Sequence, residues 1–169
     1  MSAPRSRSAF RVGGFTLPEL IIVLVIVGII SAIALTRTEN DTVLLSTQVD
    51  QLAGDIRYVQ VLAMTQGKKY IISFPSATSY RFLDSAGNPV VHPVNGSNAA
   101  ITLGSGVTLS AAIPAAGNAL GFDGRGVPFS VTTPATFNGE LNAQATITLS
   151  KGAESRSITV TQETGRVAP

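Results

Sequence analysis

The sequence predicts an α+β protein: a long N-terminal helix, membrane-spanning at first and then an amphipathic stem, packed on a C-terminal antiparallel β-sandwich head. Three observations predict it. Leu20 to Leu35 is an apolar run interrupted only by Gly28 and Ser31. Beyond a polar interval, Leu45, Val49, Leu52, Ile56, Val59 and Ala63 recur at alternating spacings of four and three, the repeat of one helical face. From Lys69 onward the apolar period changes to two, the repeat of strands with one buried face.

Composition sets the outer limits. The 169 residues fit one ordinary domain. Only 13% are charged, against about 25% in an average soluble domain, and the mean hydropathy of +0.31 reflects the concentrated run rather than apolar residues spread throughout. The absence of cysteine excludes disulfide scaffolds, thiolate metal sites and cysteine nucleophiles. The net charge of +2 divides unevenly, because Arg5, Arg7 and Arg11 all precede the run. Without residues 1–14, nine basic side chains face ten acidic ones. The basic balance then belongs to a leader, and bulk charge makes no case for a nucleic-acid partner.

Residues 15–35, as a helix, reach about 31 Å, close to the hydrocarbon thickness of about 30 Å. The arginines before them favour a cytoplasmic N-terminus, with the rest of the chain on the far side. A secretory signal is cut after its apolar run, whereas here Gly13-Gly14 stands before it. A cut after Gly14 removes residues 1–14 and keeps the anchor. Pro18 falls in the first turn, where its missing N–H has no intrahelical partner to lose. Glu19 is the exception to a plain anchor. An uncompensated carboxylate at membrane depth costs several kcal/mol. Cleavage would create a cationic amine at Phe15, four residues away, which meets Glu19 within one helix or from a neighbouring subunit. The alternative is that Glu19 lies near the interface and snorkels or is protonated.

The stem is expected over 36–67, with Asp50, Asp55, Arg57 and Gln60 on the face opposite the stripe and Gly67 as terminator. A stripe this regular covers a sheet. The head, 68–169, reads as short strands at 70–74, 80–83, 107–110, 127–131, 145–149 and 157–160. Turn formers separate them at Asp84 to Asn88, Asp123 to Gly126 and Asn138-Gly139. Residues 94–121 are the least patterned stretch.

The segment Arg11-Val-Gly-Gly-Phe-Thr-Leu-Pro-Glu-Leu20, followed by the unbroken apolar run, resembles the class III signal of type IV pilins and type II secretion pseudopilins. The resemblance implies cleavage between Gly14 and Phe15 by a prepilin peptidase and N-methylation of Phe15. It also implies extraction from the inner membrane into a filament, with Glu19 neutralising another subunit's N-terminus. Other pilin or pseudopilin subunits, the inner-membrane assembly platform and the lipid bilayer are the implied partners. The head, with Arg57 to Gly67, Phe122-Asp-Gly-Arg-Gly126 and Thr164-Gly-Arg-Val167, resembles the GspH/FimT group of minor pilins and pseudopilins. That implies a non-enzymatic subunit that initiates or caps a pilus or secretion pseudopilus, its head periplasmic. The alternative is a FimT-like pilin that binds DNA for uptake, with Arg125 and Arg166 as the contacts. The FimT pattern Gly-Arg-x-Arg is incomplete here, since Ala168 stands where the second arginine belongs.

Catalytic chemistry finds little footing. His92 is the only histidine, which excludes a Ser-His-Asp triad built on any other base and any multi-histidine metal site. It reads as structural or solvated. Gly121-x-x-Gly124-x-Gly126 lacks the spacing and following helix of a phosphate loop and reads as a hairpin turn. Asp84 with Asn88, or Asp123, falls short of the six to eight oxygens that Ca²⁺ takes. No metal and no cofactor is expected.

Overall fold

The structure is a computed structural model that describes residues 16–169, without 105, 116 and 134, and with the backbone alone for 32–40. It contains α1 (Leu17–Gln66) followed by β1 (Tyr70–Ser76), β2 (Ser79–Asp84), β3 (Ile101–Thr102), β4 (Thr108–Ala112), β5 (Ala119–Phe122), β6 (Pro128–Thr132), β7 (Thr136–Glu140), β8 (Ala145–Lys151), β9 (Glu154–Val160) and β10 (Val167–Ala168). The chain divides into two compact units, Met1–Glu39 and Asn40–Pro169.

In the first unit, Thr16 caps α1: its carbonyl accepts from the N–H groups of Glu19 and Leu20 at 3.0 and 3.2 Å. Ser31 lies in the apolar run, and its hydroxyl donates to the Val27 carbonyl one turn back at 2.8 Å, so it brings no unpaired donor. Among the described residues no helix is long and apolar enough to cross a membrane. Of the span expected at 15–35, Phe15 and the side chains of 32–35 lie outside the described residues.

In the second unit, the stripe positions Leu45, Val49, Leu52, Ile56, Val59 and Ala63 are all buried. They share one core with Tyr70, Ile72, Tyr80, Phe82, Leu120 and Phe122 from a six-stranded sheet, and with Leu109, Ile147, Leu149, Ile158 and Val160 from a four-stranded one. The orders are β3-β2-β1-β5-β6-β7 and β10-β9-β8-β4, and every pairing is antiparallel. Alternation places Ala145, Ile147 and Leu149 inward and Thr146 and Thr148 outward on β8. The helix ends where Gly67 takes a φ of 62°, and the Lys68 N–H closes the last turn on the Ala63 carbonyl at 3.2 Å.

Two expectations are corrected. Asp55, placed on the solvent face of the stem, is only 8% exposed. It follows Leu52 by three residues and precedes Val59 by four, the spacings that define the buried face, and the core reaches it because the buried stripe widens to include Ala53. Asn138-Gly139 is not a turn: both residues lie inside β7, where Gly139 adopts a φ of 130° beside a register shift between Ser130 and Val131.

Candidate functional site

The largest unsatisfied feature of the described chain is the start of α1. Leu17, Leu20, Ile21, Ile22, Val23, Leu24, Val25, Ile26, Val27, Ile29 and Ile30 are all exposed, Leu17 by 74%. A soluble helix hides one apolar stripe and wets the other side. This one is apolar around its whole circumference, the pattern of a helix enclosed by lipid or by other helices. Glu19 is the one ionisable residue in the exposed apolar segment, and it stands in the first turn. There the helix's unpaired N–H groups place partial positive charge, so a carboxylate is electrostatically suited to a helix start. Gly14 and Phe15 lie outside the described residues.

The head residues that carry the minor-pilin resemblance converge on the end of the stem. Gln60 donates through Nε2 to the Gly126 carbonyl at 2.9 Å and to the Thr164 carbonyl at 3.2 Å. Arg57 donates to the Val167 carbonyl at 3.0 Å. A Cβ on Gly124 would come within 3.0 Å of the Gly67 backbone, and one on Gly126 within 2.9 Å of the Met64 sulfur. The two turns and the terminal strand are therefore clamped on the last turns of α1; close approach of the Gly67 backbone sets Gly124, and a φ of 82° sets Gly126.

Arg125 is committed within that clamp. Its Nε donates to Asp123 Oδ2 at 2.8 Å, and a terminal nitrogen meets Glu140 Oε1 at 3.0 Å. Both carboxylates raise its basicity, Asp123 foremost through the hydrogen bond. Partial burial works against ionisation of Asp123. The hydrogen bonds from the Arg125 side chain and from the N–H groups of Val127 and Arg125 outweigh it and hold the carboxyl below its ordinary value. Arg166 is exposed, and among the described residues its guanidinium forms no hydrogen bond or ion pair. Asp84 spends its oxygens on the N–H groups of Ala86 and Asn88 and on the Asn88 amide, hydrogen bonds that lower its proton affinity and close its own turn. Among the described residues, no cluster of three or more His, Cys, Asp or Glu side chains could hold a metal.

A buried polar cluster on the stem had no counterpart in the local sequence pattern. Asp55 accepts from the Tyr80 hydroxyl at 2.5 Å and lies 3.1 Å from His92 Nε2. His92 is buried and stacks on Phe82, with ring centroids 5.1 Å apart. Burial first, then the hydrogen bond to Asp55 and its charge, push the Tyr80 hydroxyl above its ordinary value, so it stays protonated and donates.

Comparison with known proteins agrees with both halves of the chain. The family model described as the prokaryotic N-terminal methylation motif matches residues 10–35. No curated protein sequence matches the chain. Among solved structures, the chain is similar to the type IV minor pilin FimU of Pseudomonas aeruginosa PAO1. One crystal form (space group P21) shares 15% identity over 78% of this chain and 90% of that one, with a TM-score of 0.54. A second form (P65) shares 15% over 73% and 90%, with a TM-score of 0.51. The minor pseudopilin EpsH from the type 2 secretion system of Vibrio cholerae is 12% identical over 73% and 94%, with a TM-score of 0.49. The chain thus carries an N-terminal methylation motif and shares the fold of a type IV minor pilin.

Proposed function

We propose that this chain is a non-enzymatic minor pilin or pseudopilin subunit that helps initiate or cap a type IV pilus or a type II secretion pseudopilus. The observation that carries the reading is the exposed, all-apolar start of α1 with its single acid, Glu19. The methylation motif over the same residues and the shared fold support it. In this reading residues 15–35 first anchor the precursor in the bacterial inner membrane, with the head in the periplasm. A prepilin peptidase then cuts between Gly14 and Phe15 and Phe15 is N-methylated. The assembly platform moves the helix from lipid into a bundle of neighbouring helices. Glu19 offsets the buried amine of another subunit, and an ion pair held in an apolar surrounding costs about 3–5 kcal/mol to break from one side.

Cross-linking of the chain to other pilins, at equal membrane levels of wild type and Glu19→Gln, tests this. The variant should insert and be cleaved normally yet incorporate less. Unchanged incorporation would leave Glu19 as a snorkelling side chain and remove its assembly role.

The DNA-binding alternative rests on Arg166 alone, because Arg125 is already engaged by two carboxylates. Salt-dependent retention of DNA by the purified chain, lost in Arg166→Ala, would favour it.

A further inference from the structure

His92 is a buried titratable group to which the proposed function assigns no role, and its surroundings fix its tautomer. The Val94 N–H approaches His92 Nδ1 at 3.2 Å. A backbone N–H can only donate, so Nδ1 is the acceptor and carries no proton. Nε2 then bears the ring proton and donates it to Asp55 Oδ1 at 3.1 Å. Around the same residue the chain folds into a tight turn. His92 N–H donates to the Ser97 carbonyl at 2.8 Å, and Gly96 N–H donates to the His92 carbonyl at 3.0 Å. The titratable groups facing the ring are Asp55 from α1 and Tyr80 from β2, with Tyr58 of α1 packed on Phe82. Residues 89–100 contribute no other titratable side chain. The turn's apex is apolar and in solvent: Val94 is 86% exposed.

We propose that His92 is a proton-linked latch, holding the turn 92–97 in its present shape while Nδ1 is unprotonated and releasing Val94 when Nδ1 takes up a second proton. The two ring nitrogens respond differently. Nε2 keeps its hydrogen bond to Asp55, now between opposite charges, so the ring stays docked on the stem. At Nδ1 a new N–H faces the Val94 N–H, two donors meet, and the Val94 amide must turn to solvent. Acid therefore loosens the exposed apex while leaving the core contact in place. The latch is independent of the filament role.

Nitrogen NMR of the His92 ring, with amide exchange measured on the full chain in detergent micelles across a pH titration, tests it. At the neutral end the ring should be the Nε2–H tautomer. Val94 exchange, corrected for its intrinsic pH dependence, should rise about tenfold with the midpoint of the ring titration, the effect of losing one hydrogen bond. Ile72 in the core should not follow. His92→Phe retains an aromatic ring against Phe82 and should exchange fast at Val94 at both ends of the range. An Nδ1–H tautomer at neutral pH, or Val94 protection that is constant through the ring titration, would overturn the proposal. The wild-type titration decides even if the variant fails to fold.

Discussion

Gln60 on the stem donates its side-chain amide to the carbonyl oxygen of Gly126, 66 residues later in the chain, at 2.9 Å. The same nitrogen reaches Thr164, so one side chain ties the Asp123 to Gly126 turn and the C-terminal turn to the helix. This explains why the glycine-rich motifs of the head stand where they do. They let backbone approach backbone at the junction of stem and sheets, and the arginine between them is anchored by Asp123 and Glu140.

Gly165→Ala should be among the most damaging single-methyl changes in the head. Gly165 has a φ of 64°, and an added Cβ would lie 2.5 Å from Gln60 Nε2 and 2.6 Å from the Gly126 carbonyl oxygen. Left-handed strain and overpacking together should cost about 2–4 kcal/mol. Denaturant unfolding measures it, and a loss below about 0.5 kcal/mol would mean that the clamp yields without strain.

Gly54→Ala should act in the opposite direction. Gly54 sits within α1, exposed, and an added methyl group would meet no described atom within 4 Å. Alanine should raise monomer stability by about 0.5–1 kcal/mol through helix propensity and a less flexible unfolded chain. Stabilisation of the monomer with impaired filament incorporation would place Gly54 at a subunit contact; destabilisation of the monomer would contradict the open space around it.

Acid should weaken the head through Asp123. Its folded-state proton affinity is lowered, so its contribution to stability is complete above the unfolded carboxyl value near 4 and is lost as pH falls through the folded value. Unfolding midpoints measured from about pH 6 down to about pH 2 should fall less steeply for Asp123→Asn than for wild type. Equal slopes would show that Asp123 titrates alike in both states.

The stem was legible because its core positions keep a strict helical repeat from Leu45 to Ala63, and β1, β2, β4, β6, β8 and β9 each lie over an expected strand. Among the strands that lie over none of these, β5 and β7 are the longest. Ala119 to Phe122 is buried on both faces and so shows no alternation, while Thr136 to Glu140 is a polar edge strand holding Asn-Gly, residues that favour turns locally. Tertiary pairing with β6 overrides that local preference. The Asp55, Tyr80 and His92 cluster joins a helix, a strand and a loop across 37 residues, and no local pattern encodes such a meeting. Asp55 itself carried a usable sign, its spacing of three and four from Leu52 and Val59.

Intact-mass measurement of the protein purified from a host that has its own prepilin peptidase tests the filament-subunit role most directly. The expected species begins at Phe15, lacks residues 1–14 and carries one methyl group on its amine. A chain that still begins at Met1, or one cut after residue 35, would contradict it.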